Sequence, residues 1–463
     1  MQRFAILLLP ALLVAGDPSW EPAPQRLAEG RSPKLLTRRA HGILAIYSSG
    51  GNLYYRSSND LGETFTPPQR INDVEGEVSD HGENSAQLLF SPDEMTLYAV
   101  WNSRDPKNPA GTHIRFSRAG AMMTAWSPAV TLNDDGLPVS HAFQGAAVAP
   151  DGTIYAAWLD ARDKARGEPD KVEGATAGTS SLYLAISRDG GTTWEKNVRV
   201  AKGLCPCCRV AIGFVGNAVI LTYRGVEAGD VRDIMAVRST DGGRTWSSPA
   251  PVARDAWKIK GCPHVGASVA SIGDRVWVAW YTEGGGRPGI FLAESRDHGA
   301  TWSPKKLASE GTLDPTHPHL AASDDRLAVV FQARDAAKDA GWGKMAIWYR
   351  EISPDGAMSK LHRLPAGEGS VSYPVVALGM SGRVFAGWTE TTSGKSSAMF
   401  VRGRSAPLSQ LKIRRIFPVK GGDPCSTPLM NGWKKTTPIA GKTGPGARLS
   451  PWSSSPSSPA AST

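Results

Sequence analysis

One octapeptide limits what this 463-residue chain can fold into more than any other feature. It occurs as SNDLGETF (58–65), SRDGGTTW (187–194), STDGGRTW (239–246) and SRDHGATW (295–302), each reading Ser-x-Asp-x-Gly-x-Thr-aromatic. A degraded copy, SRAGAMMTAW (117–126), has lost its Asp. Asp and Ser side chains can bond the backbone of a tight turn, Gly supplies a positive φ, and the aromatic residue covers the apolar edge where the next strand begins.

A second string precedes each box: a turn, then apolar residues ending on an aromatic. The copies are GILAIY (to Tyr47), LYAVW (to Trp101), TIYAAW (to Trp158), AVILTY (to Tyr223), VWVAW (to Trp280), LAVVF (to Phe331) and VFAGW (to Trp388). Their spacing of 51 to 65 residues suits one four-stranded antiparallel unit per repeat. The expectation is an all-β propeller over residues 30–405, with seven blades by repeat count and six as the alternative.

With these motifs the chain resembles the Asp-box, or BNR-repeat, proteins of the sialidase superfamily. The resemblance implies that the box is a folding element of a blade, remote from the active site. Asp60, Asp189, Asp241 and Asp297, with Trp194, Trp246 and Trp302, are then structural. It also implies six blades, the family's number, against the seven counted here.

The first residues, MQRFAILLLPALLVAG, combine Arg3, a short apolar run and small residues suited to a signal peptidase. Residues 1–16 are therefore expected to be a signal peptide of a secreted or periplasmic protein, with no membrane span. The net charge of +9 does not mark a nucleic-acid binder, because residues 404–463 hold nine Lys or Arg against the single acid Asp423 and the body is nearly neutral. Residues 406–463, basic and then Ser/Pro-rich, read as a poorly ordered tail. A monomer is expected.

If the strands of a blade are called A to D from the axis outward, the box is a C-to-D turn. The D-to-A connections and B-to-C loops then share the opposite face, where a propeller places its ligand. The connections contain four of the five cysteines, and His81, His141, His264, His317 and His319. Cys205, Cys207 and Cys208, in CPCC, lead into one blade; Cys262 and His264 lead into the next. Three readings stay open: structural disulfides joining Cys262 to the CPCC group, a Cu or Zn site of thiolates with His264, and a redox thiol. Cys425, in the tail, is left unpaired.

The family resemblance implies exo-sialidase chemistry: an arginine cluster for the substrate carboxylate, a Tyr nucleophile paired with Glu, and an Asp acid/base. The family's aromatic-Arg-Ile-Pro string is absent, and PQRIND (68–73) follows a box, which puts Arg70 on a D strand. Arg224, Arg232 and Arg287 on the B-to-C loops are the substitute clamp, with Asp233 as polar partner and Tyr373 as a remote nucleophile candidate. The expected function is a glycoside hydrolase of exo-α-sialidase type acting on acidic sugars, with a glycan or other acidic small ligand as partner. The alternative is a non-catalytic binding propeller with a Cys/His metal or disulfide site.

Overall fold

The computed structural model describes residues 18–405 apart from 40–41, 109, 121–124, 169–170, 177, 324–325 and 338–342. The signal-peptide and tail segments, with Cys425, lie outside the described residues. Seven antiparallel sheets follow one another along the chain. Strands A to D are Arg31–Thr37, Ile43–Ser49, Asn52–Ser58 and Gln69–Arg70 in blade 1. Blade 2 runs from Gln87–Phe90 to Val130–Thr131, blade 3 from His141–Val148 to Val198–Leu204, and blade 4 from Ala211–Val215 to Ala250–Pro251. Blade 5 spans Ser268–Ile272 to Lys306–Leu307, and blade 6 Thr312–Ala322 to His362–Arg363.

Blade 7 closes the ring. Its strands Ser370–Leu378, Arg383–Thr392 and Lys395–Arg404 are completed at the outer edge by Gln25–Glu29 and Ser19–Trp20, both antiparallel to Lys395–Arg404. Seven A strands thus surround one axis, as the repeat count indicated. Six would have required the first and last units to share a sheet. Instead blade 1 is complete by itself, and the segment before it covers the edge that blade 7 would otherwise expose.

The apolar strings form the B strands. Each is covered on both faces by its neighbours, which explains their near-continuous hydrophobicity. Trp101, Trp158, Trp280 and Trp388 are fully buried, and each indole N–H donates to a carboxylate: Glu77, Asp160, Asp255 and Glu390 respectively. Arg70 lies on the exposed D strand of blade 1, where the sequence placed it.

Each intact box closes the same way. In the first, Ser58 Oγ accepts the Gly62 N–H (2.7 Å) and donates to Asp60 (2.6 Å), while Asp60 accepts the Thr64 N–H (3.0 Å) and hydroxyl (2.6 Å). Donation from Thr193 and Thr301 holds the carboxyls of Asp189 and Asp297 down at about 2. A further worn box, SPDGAM (353–358), escaped the sequence reading because it lacks the Thr-aromatic ending, yet Ser353 still bonds Asp355 and the Ala357 N–H.

The box glycine locks each blade to the one before. Gly191 has φ +80°, and a Cβ there would lie 2.3 Å from Phe116 of blade 2. Trp194 packs edge-on against the same ring at 5.0 Å. Gly191→Ala is expected to cost about 1–3 kcal/mol through overpacking and backbone strain. Chemical denaturation measures this, and an unchanged midpoint would remove the locking role.

Candidate functional site

The A strands share an irregularity on the face opposite the boxes. Strand register against B shifts between Arg31 and Lys34, Ala142 and Gly145, Thr316 and His319, and Ser372 and Val375. At the corresponding place in the chain, Ser32, Gly82, Phe143, His264, His317 and Tyr373 all have φ between 51° and 60°. Such a bulge adds one residue and re-aims its side chain. The repeated bulge brings a set of polar residues together around the axis.

Lys34, Asp80, Glu83, Arg209, His317, His319 and Tyr373 gather there. Glu83 is buried and accepts the Gly266 N–H at 2.7 Å and the Arg209 guanidinium. A second Arg209 nitrogen donates to the Pro318 carbonyl at 2.6 Å. Ser32 donates to Asp80 at 2.7 Å, and burial pushes the Asp80 carboxyl up. Burial and the nearby Arg209 lower the Lys34 ammonium to about 8. Lys34, His317, His319 and Tyr373 are half-buried around this axial channel.

His317 packs edge-on against Tyr373, ring centres 4.4 Å apart. Neither ring nitrogen of His317 makes a well-aligned hydrogen bond. Its polar neighbours include the backbone of His264 and the Glu83 carboxylate, 3.9 Å from Nε2. Burial lowers the imidazole below its ordinary value, so it is neutral near pH 7. His319 is also pushed down by burial, and its Nδ1 accepts the Val376 N–H at 3.3 Å. Tyr373 lies over Gly82, where a Cβ would fall 2.3 Å from its hydroxyl oxygen. The channel therefore offers a neutral base, a phenol, a raised carboxyl and two cationic groups.

The clamp residues are placed otherwise. Arg224, fully buried, donates to the carbonyls of Arg232 (2.7 Å), Val265 (3.0 Å) and Tyr281 (2.8 Å), and its guanidinium lies 5.0 Å from the Trp257 ring centre. Asp233 accepts the N–H groups of Asp255, Ala256 and Trp257. Arg287 is exposed on the loop before Gly289–Ser295. Arg232 faces the thiols, its Nη1 2.8 Å from Cys205 Sγ. Arg224 and Asp233 hold loop backbone in place.

The cysteines do converge. Cys205, Cys207 and Cys208 are buried and Cys262 is exposed. The sulfurs of Cys205, Cys207 and Cys262 lie within 4.8 Å of one another, a group that leaves out Cys208 and His264. Cys205 is 3.6 Å from Cys207 and 3.9 Å from Cys208, and none of the four thiols stands at disulfide distance. The expected bond between Cys262 and the CPCC group is thus not formed, although its partners are adjacent.

His141 belongs to a different, saturated cluster. It is fully buried with Asp135, Asp160 and Arg162, its Nε2 3.1 Å from Asp135. Against the cost of burial, His141 holds the Asp135 carboxyl at about 2. These charges satisfy one another beneath blade 3, and Trp158 also donates to Asp160 at 2.7 Å.

Lys34, Asp80, Glu83 and Arg209 were not singled out in the sequence. No sequence signal marked them, because the residues at the bulge, Ser32, Gly82, Phe143, His264, His317 and Tyr373, share no single residue type.

Residues 181–358 match the BNR repeat-like domain family. No curated protein matches the chain. Among solved structures, an ulvan lyase of polysaccharide lyase family PL25, bound to -[GlcA(1-4)Rha3S]-, is similar at 12% identity and TM-score 0.50, over 84% of this chain and 94% of that one. The Hadza microbial sialidase Hz136 is similar at 17% identity and TM-score 0.45, over 67% of this chain and 66% of its own length. A protein of unknown function from Dyadobacter fermentans is similar at 15% identity and TM-score 0.46, over 84% and 98%.

Proposed function

We propose that the axial channel of this propeller, whose residues 181–358 match the BNR repeat-like domain family, binds a carboxylated sugar and cleaves the glycosidic bond. The observation that supports this most is the neutral, poorly partnered His317 packed on Tyr373 near Arg209, with Lys34 close to Arg209 and His319. The two cations draw in the sugar carboxylate. In a hydrolytic cycle of exo-sialidase type, Tyr373 attacks the anomeric carbon as His317 takes the phenolic proton, and Asp80, whose carboxyl burial pushes up, protonates the departing oxygen. Water then releases the sugar from Tyr373. Glu83 holds Arg209 in place.

The neutral state of His317 favours a second reading, elimination. His317 would remove the proton next to a uronate carboxylate, and Tyr373 would protonate the leaving oxygen. The fold accommodates such a substrate in the ulvan lyase bound to its GlcA-containing fragment. The two routes differ in product, since only elimination leaves an unsaturated sugar with near-ultraviolet absorbance. The leader-like N terminus, outside the described residues, fits an exported enzyme.

Lys34 gives the reading a pH signature. With its ammonium lowered to about 8, the group is cationic below that pH and neutral above it. KM for an acidic saccharide is therefore expected to rise as pH passes about 8. Lys34→Gln should raise KM at pH 7, remove that limb and leave kcat nearly unchanged. A wild-type KM profile in Lys34→Gln would take Lys34 out of the binding site.

A further inference from the structure

We propose that Cys205, Cys207 and Cys262 form a three-sulfur site for a soft monovalent cation, Cu(I), clasping the connection into blade 4 to the connection into blade 5. No axial-channel residue is a ligand, so the site stands independently of the saccharide reading.

The geometry carries the assignment. With a metal–thiolate bond of about 2.3 Å, three sulfurs around one ion stand about 4 Å apart. The three sulfurs here lie within 4.8 Å of one another, Cys205 and Cys207 at 3.6 Å. They are too far apart for a disulfide and close enough for a shared ion with small adjustments. The ligand number bears on which ion. Structural zinc takes four ligands in a tetrahedron, whereas this group has three, with Cys208 and His264 outside it. An all-thiolate set is the soft donor set that selects Cu(I).

The surroundings fit the charge such a centre would carry. Three thiolates around Cu(I) leave two negative charges in a largely buried place, which needs a positive neighbour. Arg232 supplies one, with Nη1 at 2.8 Å from Cys205 Sγ and its buried Nε without a hydrogen-bond partner among the described residues. Val226 and the half-buried Phe143 and Ala175 pack around the buried cysteines and keep water away. Exposed Cys262 provides the way in. Binding exchanges thiol protons for the ion, up to three released to solvent, and copper remains Cu(I) throughout.

The test is anaerobic titration of the reduced full-length protein with Cu(I) presented by a chromophoric chelator. One equivalent should be taken from the chelator, with a thiolate-to-copper charge-transfer band, and Cys262 should become protected from alkylation. Cys262→Ser alters an exposed side chain, and is expected to weaken uptake by more than the roughly 10–100-fold that loss of an outer-shell partner costs. Cys425→Ser should keep full uptake. Absence of uptake, undiminished uptake by Cys262→Ser, tighter retention of Zn(II) than of Cu(I), or an isolated protein two hydrogens light with Cys262 bonded to the CPCC group would each overturn the proposal.

Discussion

Arg224→Ala is expected to destabilise the propeller by about 3–5 kcal/mol, because each buried acceptor left without a donor costs about 1–3 kcal/mol. Three carbonyls, those of Arg232, Val265 and Tyr281, depend on this one guanidinium, and its stacking on Trp257 would also be lost. Arg224→Lys should recover only part of the loss, since an ammonium cannot reach three carbonyls with a planar fork. Thermal or chemical unfolding measures both variants. The opposite pattern, wild-type stability with lost turnover in Arg224→Ala, is what a substrate clamp would produce. That result would contradict the backbone role.

His317→Asn is expected to lower turnover of an acidic saccharide by roughly 10²–10⁴-fold while leaving the fold intact, the range for losing a positioned proton acceptor. The wild-type acid limb of kcat/KM should fall below the ordinary imidazole value of about 6.5, because burial keeps His317 neutral to lower pH. The sign for stability follows from the same shift. The unfolded chain takes up a proton on this histidine at higher pH than the folded one does, so His317 lowers stability as pH falls through the ordinary value. His317→Asn should flatten that dependence as well as the rate. An unchanged rate in a folded His317→Asn variant would remove it from the chemistry.

Much of the architecture was readable because blades repeat. Tyr47, Trp101, Trp158, Tyr223, Trp280, Phe331 and Trp388 sit at one place in successive sheets, and their spacing reports the blade count directly. The meeting of CPCC with Cys262 was also readable, because connections into adjacent blades lie on one face. The state of the sulfurs was not, since a spacing does not set a distance between side chains.

The axial channel was hidden for a local reason. Alternation assigns Lys34 a side of a strand, but an extra residue at Ser32 resets that side, Glu83 lies in a turn ahead of its blade, and nothing in the local composition announces either. Arg224 and Asp233 attracted notice as an Arg/Asp pattern on the ligand face. Their actual partners are backbone groups of distant loops, which a sequence does not display.

The measurement that bears most directly on the central claim is mass-spectrometric detection of cleavage in sialylated and uronate-containing oligosaccharides, each beside its carboxyl-reduced counterpart, with His317→Asn as the blank. The account expects one carboxylated class to be cleaved, its neutral counterpart to remain intact, and the blank to be nearly inert. Equal cleavage with and without the carboxylate, wild-type cleavage by His317→Asn, or no cleavage of any carboxylated sugar would contradict it.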